Sequence, residues 1–419
     1  MGRSWVLGDL LSTLFERRAS PGAIAIDTPL PDLCRALMSG RGEVSGMKLS
    51  MAALARWRVA DAAERAAFFR YLADEMDLDP TAVRRAAETY AARGDTQTLA
   101  ALLRAAEPPR QELLRRLNQA AGGTADLVAM RVALLKAAQD DPGLGRVDLD
   151  FRHLFASWFN RGFLVLRRID WDSPAALLER LIAYEAVHEI QSWDDLRRRV
   201  APSDRRCFAF FHPSLPDDPL IFVQVALTSG IPDAIGPILS GDRALLSPQQ
   251  ADTAVFYSIS NCQAGLRGIS FGNSLIKQVV EVLGAELPQL TTFVTLSPIP
   301  GLVRWLDETA QDAPDDPAQI RALAAQYLLH AKTTDGQPLD PVARFHLDNG
   351  AEVHAIHAEA DLSPRGRAQS LGAMVNYRYD LARVEDNHET YATAHDIVAT
   401  RTVRALAQPP VDRARGPKD

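Results

Sequence analysis

Between residues 50 and 140 apolar positions recur at three- and four-residue steps, and residues that start or stop helices stand between the runs. Phe68, Leu72 and Met76 follow Asp61, which can cap a helix with Glu64 three positions on. Asp79-Pro80 opens a second helix that Gly94 stops; Pro108-Pro109 opens another that Gly122-Gly123 closes, and Thr124 can cap the next. The pattern predicts an all-helical bundle. The stretch 140–150, DDPGLGRVDLD, reads as a linker, so the expected division is a helical assembly domain over 1–145, a second domain over 146–408 and a disordered tail over 409–419.

Beyond the linker the period shortens. Runs of strand length appear at GFLVLRRI (162–169), CFAFF (207–211), PLIFVQVAL (219–227), TAVFYSIS (253–260) and TTFVTLS (291–297), with helices expected over 173–188 and about 270–283. The polar turn HPSLPDDP between CFAFF and LIFVQVAL has the length of a hairpin and not of a helical crossover, so the sheet is mixed and the class is α+β. QDAPDDPAQ (311–319) marks a loop inside a helical insertion near 301–340. A last unit runs from Asp340 through Asn349-Gly350 into AEVHAIH (351–357), then polar sequence and a closing helix near 392–407.

Composition acts by exclusion. Hydrophobic residues make up 47% and charged residues 24% of 419, proportions of a globular chain, and 46 Lys and Arg against 53 Asp and Glu leave a net charge of −7. General nucleic-acid binding is disfavoured, although a local basic pocket for a phosphorylated small ligand is not. Cys34, Cys207 and Cys262 lie too far apart for a disulfide framework or a zinc ribbon and read as buried thiols in a reducing compartment. The opening MGRSWVLGDLLSTLFERR has no cleavage site and carries Asp9 and Glu16, so no signal peptide is expected, and no run approaches the roughly 18 apolar residues of a membrane span. The expectation is a soluble, cytoplasmic protein without membrane or nucleic-acid partners.

Candidate chemistry lies in three segments. In FYSISNCQAGLRGISFGNSLIKQVVEVLG (256–284) a strand leads through a Gly-containing loop into a helix; Gly265, Gly268 and Gly272 permit close approach, the first helical turn offers N–H groups to a phosphate, and Arg267 adds charge. The same glycines would also serve a plain tight corner. Gly268-Ile269-Ser270-Phe271-Gly272 spells the GxSxG nucleophile elbow of α/β-hydrolases, but an elbow places its serine directly after a strand, and this strand ends near Ser260; a hydrolase stays as a secondary alternative. In TLSPIPG (295–301), Pro298 and Pro300 fix the direction of the Ser297 hydroxyl at a strand end, unless they simply terminate the strand. In DPVARFHLDNGAEVHAIH (340–357), Asp340 caps a short helix with Pro341 first. His346 on it is either structural or a semi-buried imidazole titrating near neutrality as a proton donor. His354 and His357 face opposite sides of a strand, and no catalytic metal is expected.

Taken in order, HPSLPDDPLIFVQVALT, FYSISNCQAGLRGISFGNSLIK, TFVTLSPIPG, DPVARFHLDNGA and LGAMVNYRY resemble segments of the malonyl-CoA decarboxylase family over most of residues 150–405, and the helical half is similar to it less specifically. The resemblance implies a helical assembly domain followed by a catalytic domain of the GNAT acetyltransferase fold. It implies that Arg267, Gly268, Ile269, Ser270, Phe271, Gly272 and Asn273 form a malonyl-CoA-binding loop, that Ser297 and His346 are the catalytic pair, and that Tyr377 is an active-site neighbour, its plainer reading being a core tyrosine. It further implies malonyl-CoA as substrate, no cofactor beyond the CoA carried by that substrate, and a homo-oligomer, dimer or tetramer, built through the helical domain. Ser270 stands where animal members look acidic, so a carboxylate role does not carry over, and the loop departs from the strict acetyltransferase pattern. The expected reaction turns malonyl-CoA into acetyl-CoA and CO2. The alternatives are an acyl-CoA-dependent N-acyltransferase and a non-enzymatic acyl-CoA sensor.

Overall fold

In the computed structural model, which describes residues 28–39, 43–269 and 275–408, the helix signals of the N-terminal half become helices at Leu30–Met38, Glu43–Val59, Ala62–Asp74, Pro80–Arg93, Thr96–Ala105, Pro109–Asn118, Gly123–Asp140 and Gly145–Trp158. The Asp61 side chain accepts from Glu64 N and the Glu64 side chain from Asp61 N, a reciprocal cap. Asp79 accepts from Thr81 N, and Gly94 ends that helix with a left-handed φ of +65°. Trp57, Phe68, Phe69 and Leu72 are buried with Leu113, Leu117, Leu127 and Leu134. These helices form one compact unit, which runs to Trp158 and also includes the later turn Ala264–Ile269.

Two local expectations fail here. Thr124 does not cap: Gly122, at φ +73°, precedes the helix, and the Thr124 hydroxyl donates to Asn118 Oδ1 at 2.8 Å inside it. Nor is 140–150 a linker. Asp141 Oδ1 accepts from Gly143 N, starting a short 3-10 turn that leads into Gly145–Trp158, and the division of the chain falls after that helix.

The second unit, from Phe159 to Gln263 and again beyond the turn, is built on a mixed sheet. Its strands are β1 Val165–Ile169, β2 Arg205–Phe211, β3 Ile221–Thr228, β4 Thr253–Asn261, β5 Thr292–Thr295, β6 Ser297–Pro298, β7 Glu352–His357 and β8 Met374–Arg378. β1 to β4 run antiparallel in sequence order; β4 and β5 are parallel, with Thr253 opposite Thr292 and Phe256 opposite Thr295. β5, β6 and β7 all pair antiparallel with β8. β2 and nearly all of β3 are buried, which explains the apolar runs Cys207–Phe211 and Ile221–Val223 within them: Cys207, Ala209 and Phe211 face Leu178, Leu181 and Leu196, while Ala226, Val255 and Val294 pack with Ile235 and Ile238.

The helix expected over 173–188 stops at Tyr184, because the Glu185 carboxylate accepts from the N–H groups of Val187 and His188 at 2.8 and 3.0 Å and turns the chain. Helices Leu302–Glu308 and Pro317–His330 follow β6. The single closing helix near 392–407 is instead two, Val384–Ala394 and Arg401–Leu406, broken at His395, whose backbone is left-handed at φ +53°. Among the described residues no helix is long and apolar enough to cross a membrane.

Candidate active site

β5 is short. It leaves β4 after Thr295, Ser297 turns to pair with Val375 of β8, and past Phe256 that edge of β4 has no strand partner among the described residues. A cavity of about 250 Å³ lies where the two strands part, lined by Val187, Phe256, Tyr257, Ile259, Asn261, Ser297, Pro298, Pro341, Val342, Phe345 and His346. No lysine or arginine is among these lining residues.

His346 reaches the cavity from the helix Pro341–Asp348, whose buried positions Ala343, His346 and Leu347 lie at the i, i+3, i+4 spacing of one face. Ser297 Oγ lies 3.1 Å from His346 Nε2, so two residues 49 apart in sequence form a hydrogen-bonded pair. On the far side of the ring, Nδ1 lies 2.8 Å from the Tyr379 hydroxyl. Ser297 also donates to Thr295 Oγ1 at 2.8 Å, and Thr295 Oγ1 accepts from Tyr377 N at 3.1 Å.

Counting donors assigns the protons. The Tyr379 hydroxyl has Nδ1 as its partner among the described residues, so its proton belongs in that bond. The remaining imidazole proton then sits on Nε2 and is donated to Ser297 Oγ, leaving the Ser297 proton for Thr295. The chain runs one way, Tyr379 to His346 to Ser297 to Thr295. In this arrangement His346 does not pull the proton from Ser297, and the serine is not an activated nucleophile.

Full burial overturns the expectation that His346 titrates near neutrality. The residue is 3% exposed, and burial pulls its pKa down to about 3, so the ring is neutral over the working pH range. Tyr377 is also buried and stacks on the His346 ring at 4.5 Å between centroids, but its hydroxyl has no hydrogen-bond partner among the described residues and it does not line the cavity. Burial holds both tyrosine hydroxyls far above the usual phenol range.

Of the seven loop residues, Arg267 and Gly268 are exposed, Ile269 is buried and Gly268 has φ +78°; Ser270, Phe271, Gly272 and Asn273 lie outside the described residues. Ser270 is nine positions past the end of β4, not directly after it. Sequence reasoning missed Tyr379, Thr295 and Asn376, whose Nδ2 donates to Thr295 O at 2.8 Å. Tyr379 had a readable signal: it is two positions from Tyr377 in NYRY, so strand alternation sends both to one face. Among the described residues no group of three or more His, Cys, Asp or Glu is arranged to hold a metal.

Asp340, the cap of the His346 helix, is 1% exposed, and its Oδ1 accepts from the N–H groups of Val342 and Ala343 at 2.9 Å each. Burial pushes its pKa up to about 6. Between the unfolded value of 3.8 and about 6 the folded chain therefore holds the extra proton, and the stability this gives is lost as pH rises through 6. Asparagine caps as well as aspartate and does not ionise. Asp340→Asn is expected to raise the melting temperature at pH 8 by roughly 2–8 °C and to leave it unchanged at pH 4, by scanning calorimetry; a variant less stable at pH 8 would mean that the ionised carboxylate supports the fold.

A mixed sheet whose parallel pair parts over a small, largely apolar cavity, furnished with the Ser297 hydroxyl and a neutral imidazole in a proton-ordered chain, defines a small-molecule site of the acid–base class. The chain belongs to the malonyl-CoA decarboxylase family: the model of the family's C-terminal domain matches residues 162–319 and 316–415, and that of its N-terminal domain matches 77–159. It is 35% identical to the mitochondrial malonyl-CoA decarboxylase of Anser anser anser over 347 residues, covering 71% of this chain and 69% of that one, and 33% identical to that of Rattus norvegicus over 408, covering 83% and 82%. Among solved structures, the malonyl-CoA decarboxylase of Rhodopseudomonas palustris superposes with a TM-score of 0.86 at 49% identity, covering 91% of this chain and all of that one. That of Cupriavidus metallidurans gives 0.73 at 35%, covering 90% and 98%.

Proposed function

We propose that this chain converts malonyl-CoA to acetyl-CoA and CO2, with Ser297 and His346 as catalytic residues, Tyr379 behind them, and the loop from Arg267 to Asn273 and Tyr377 serving the substrate. The observation that carries the reading is the hydrogen-bonded chain Tyr379–His346–Ser297 beside an apolar cavity. A malonyl thioester holds its own electron sink, since loss of CO2 leaves an enolate delocalised onto the thioester oxygen, and the reading calls on no cofactor. Walls such as Val187, Ile259, Val342 and Phe345 strip water from a carboxylate and favour its departure as neutral CO2. With substrate bound, the Ser297 proton turns from Thr295 Oγ1 to the oxygen on which charge develops. His346 then gives its Nε2 proton to C2 while Nδ1 takes the proton of Tyr379, so the ring stays neutral; the phenolate regains a proton from solvent. The free edge of β4 is available to the amides of the pantetheine arm. In the same reading the helical unit serves assembly into a cytoplasmic homo-oligomer.

An N-acyltransferase would need a base for its acceptor amine. An imidazole with its pKa pulled to about 3 and its proton on the Ser297 side supplies a poor one. Incubation of the purified chain with malonyl-CoA and no amine is expected to release acetyl-CoA and CO2 in equal amounts. Turnover only on addition of an amine would make the chain an acyltransferase; tight binding of malonyl-CoA without turnover would make it a sensor.

A further inference from the structure

We infer that Arg131 of the helical unit is a positioning residue for substrate recognition: it locks the turn Ala264–Ile269 so that the Arg267 guanidinium stands free to bind the phosphates at the nucleotide end of CoA. The inference rests on the proposed reading of the loop and adds a residue to it. Arg131 is 2% exposed on the helix Gly123–Asp140 and uses both sides of its fork. Nε and Nη2 donate to the two Asp148 carboxylate oxygens at 2.7 and 3.3 Å, while Nη1 donates to Gly265 O at 2.8 Å and Arg267 O at 2.9 Å. Asp148 neutralises the charge, so Arg131 acts on the turn by geometry. A lysine has one nitrogen and could not hold a carboxylate and two carbonyls together.

The turn is fitted to this seat. A Cβ on Gly265 would lie 2.1 Å from Val128 O, so only glycine lets the backbone settle against the helix. One residue beyond Arg267, Gly268 adopts φ +78°. Held by its carbonyl, Arg267 keeps an exposed side chain that makes no ion pair or hydrogen bond with the described residues. A buried arginine spent on two main-chain carbonyls, fixing an unpaired exposed arginine, is the construction of an anion-binding turn.

The test compares malonyl-CoA with malonyl-pantetheine, which lacks the nucleotide phosphates, in Arg131→Met, Arg267→Ala and the double variant. The loss of one charge-assisted contact predicts that each single variant raises KM for malonyl-CoA about tenfold with kcat within about twofold, and leaves malonyl-pantetheine unaffected. The double variant should be no worse than Arg267→Ala alone, because Arg131 acts through Arg267. Equal losses on both thioesters, or additive losses, would overturn the inference and leave Arg131 as a fold residue. Gly265→Ala displaces the turn without breaking the ion pair and should repeat the selective loss, which covers the case in which Arg131→Met fails to fold. Calorimetric binding of adenosine 3′,5′-bisphosphate reads the clamp without catalysis. Weakening of about tenfold in Arg267→Ala and in Gly265→Ala supports the inference and unchanged binding overturns it, whereas an inactive parent that still binds the nucleotide counts against the decarboxylase reading alone.

Discussion

Replacement of His346 by alanine is expected to cut kcat on malonyl-CoA by about 10²–10⁴-fold, with KM within about threefold of the parent, in a steady-state assay of acetyl-CoA formation. The size follows from what the ring does. It is neutral, carries its proton on the Ser297 side and takes another from Tyr379, so it passes a proton to C2 without becoming a buried cation. Glutamine at this position restores an N–H but cannot shuttle a proton between two ring nitrogens. His346→Gln should therefore remain within about tenfold of alanine; a near-normal rate would show that the ring only donates a hydrogen bond. Tyr379→Phe removes the incoming proton and should cost less than the loss of the ring.

The pH dependence carries a sign. Because burial lowers the pKa of His346 from 6.5 to about 3, the ring is neutral near pH 7, and its stability contribution, complete above 6.5, falls away as pH drops toward 3. The rate should show no limb near 6.5 that disappears in the alanine variant. In deuterium oxide the parent should wash deuterium into the methyl group of acetyl-CoA by reversing C2 protonation, and His346→Ala should not.

What could be read from the sequence divides along the range of the forces involved. Helix starts at Asp61 and Asp79, and the apolar runs of the buried strands β2 and β3, follow from residues within a few positions of one another and were legible. The helix end at Tyr184 was not, because a glutamate turning back on two N–H groups looks in sequence like one more polar helical position. Nor was the true depth of His346. Flanking Phe345 and Leu347 indicated partial enclosure, but the ring is sealed by Tyr377 and Tyr379 from the β8 segment, more than thirty residues away. A neutral imidazole in place of a titrating one is thus a consequence of tertiary packing that local pattern does not encode. The linker at 140–150 failed for a related reason. Asp and Gly both begin helices and end them, and only the bond from Gly143 N to Asp141 decides which.

Ser297→Ala is expected to lower kcat by about 10²–10³-fold, the usual cost of removing one donor aimed at a developing oxyanion. Ser297 is 6% exposed and its hydroxyl is bound on both sides, accepting from His346 and donating to Thr295, so its oxygen is fixed before substrate arrives and only its proton has to turn from Thr295 to the substrate. Once turned to the thioester oxygen, the donor strengthens its bond as charge builds there, which places the loss in kcat; a change confined to KM would mean that it holds the substrate and nothing more. Its removal also leaves the Nε2 proton of His346 without a buried acceptor, so Ser297 and His346 form one unit. Ser297→Ala with His346→Ala should therefore be little slower than the worse single variant. Multiplied losses would mean that hydroxyl and imidazole act independently, and that the proton order from Tyr379 to Thr295 is a packing arrangement and not a catalytic one.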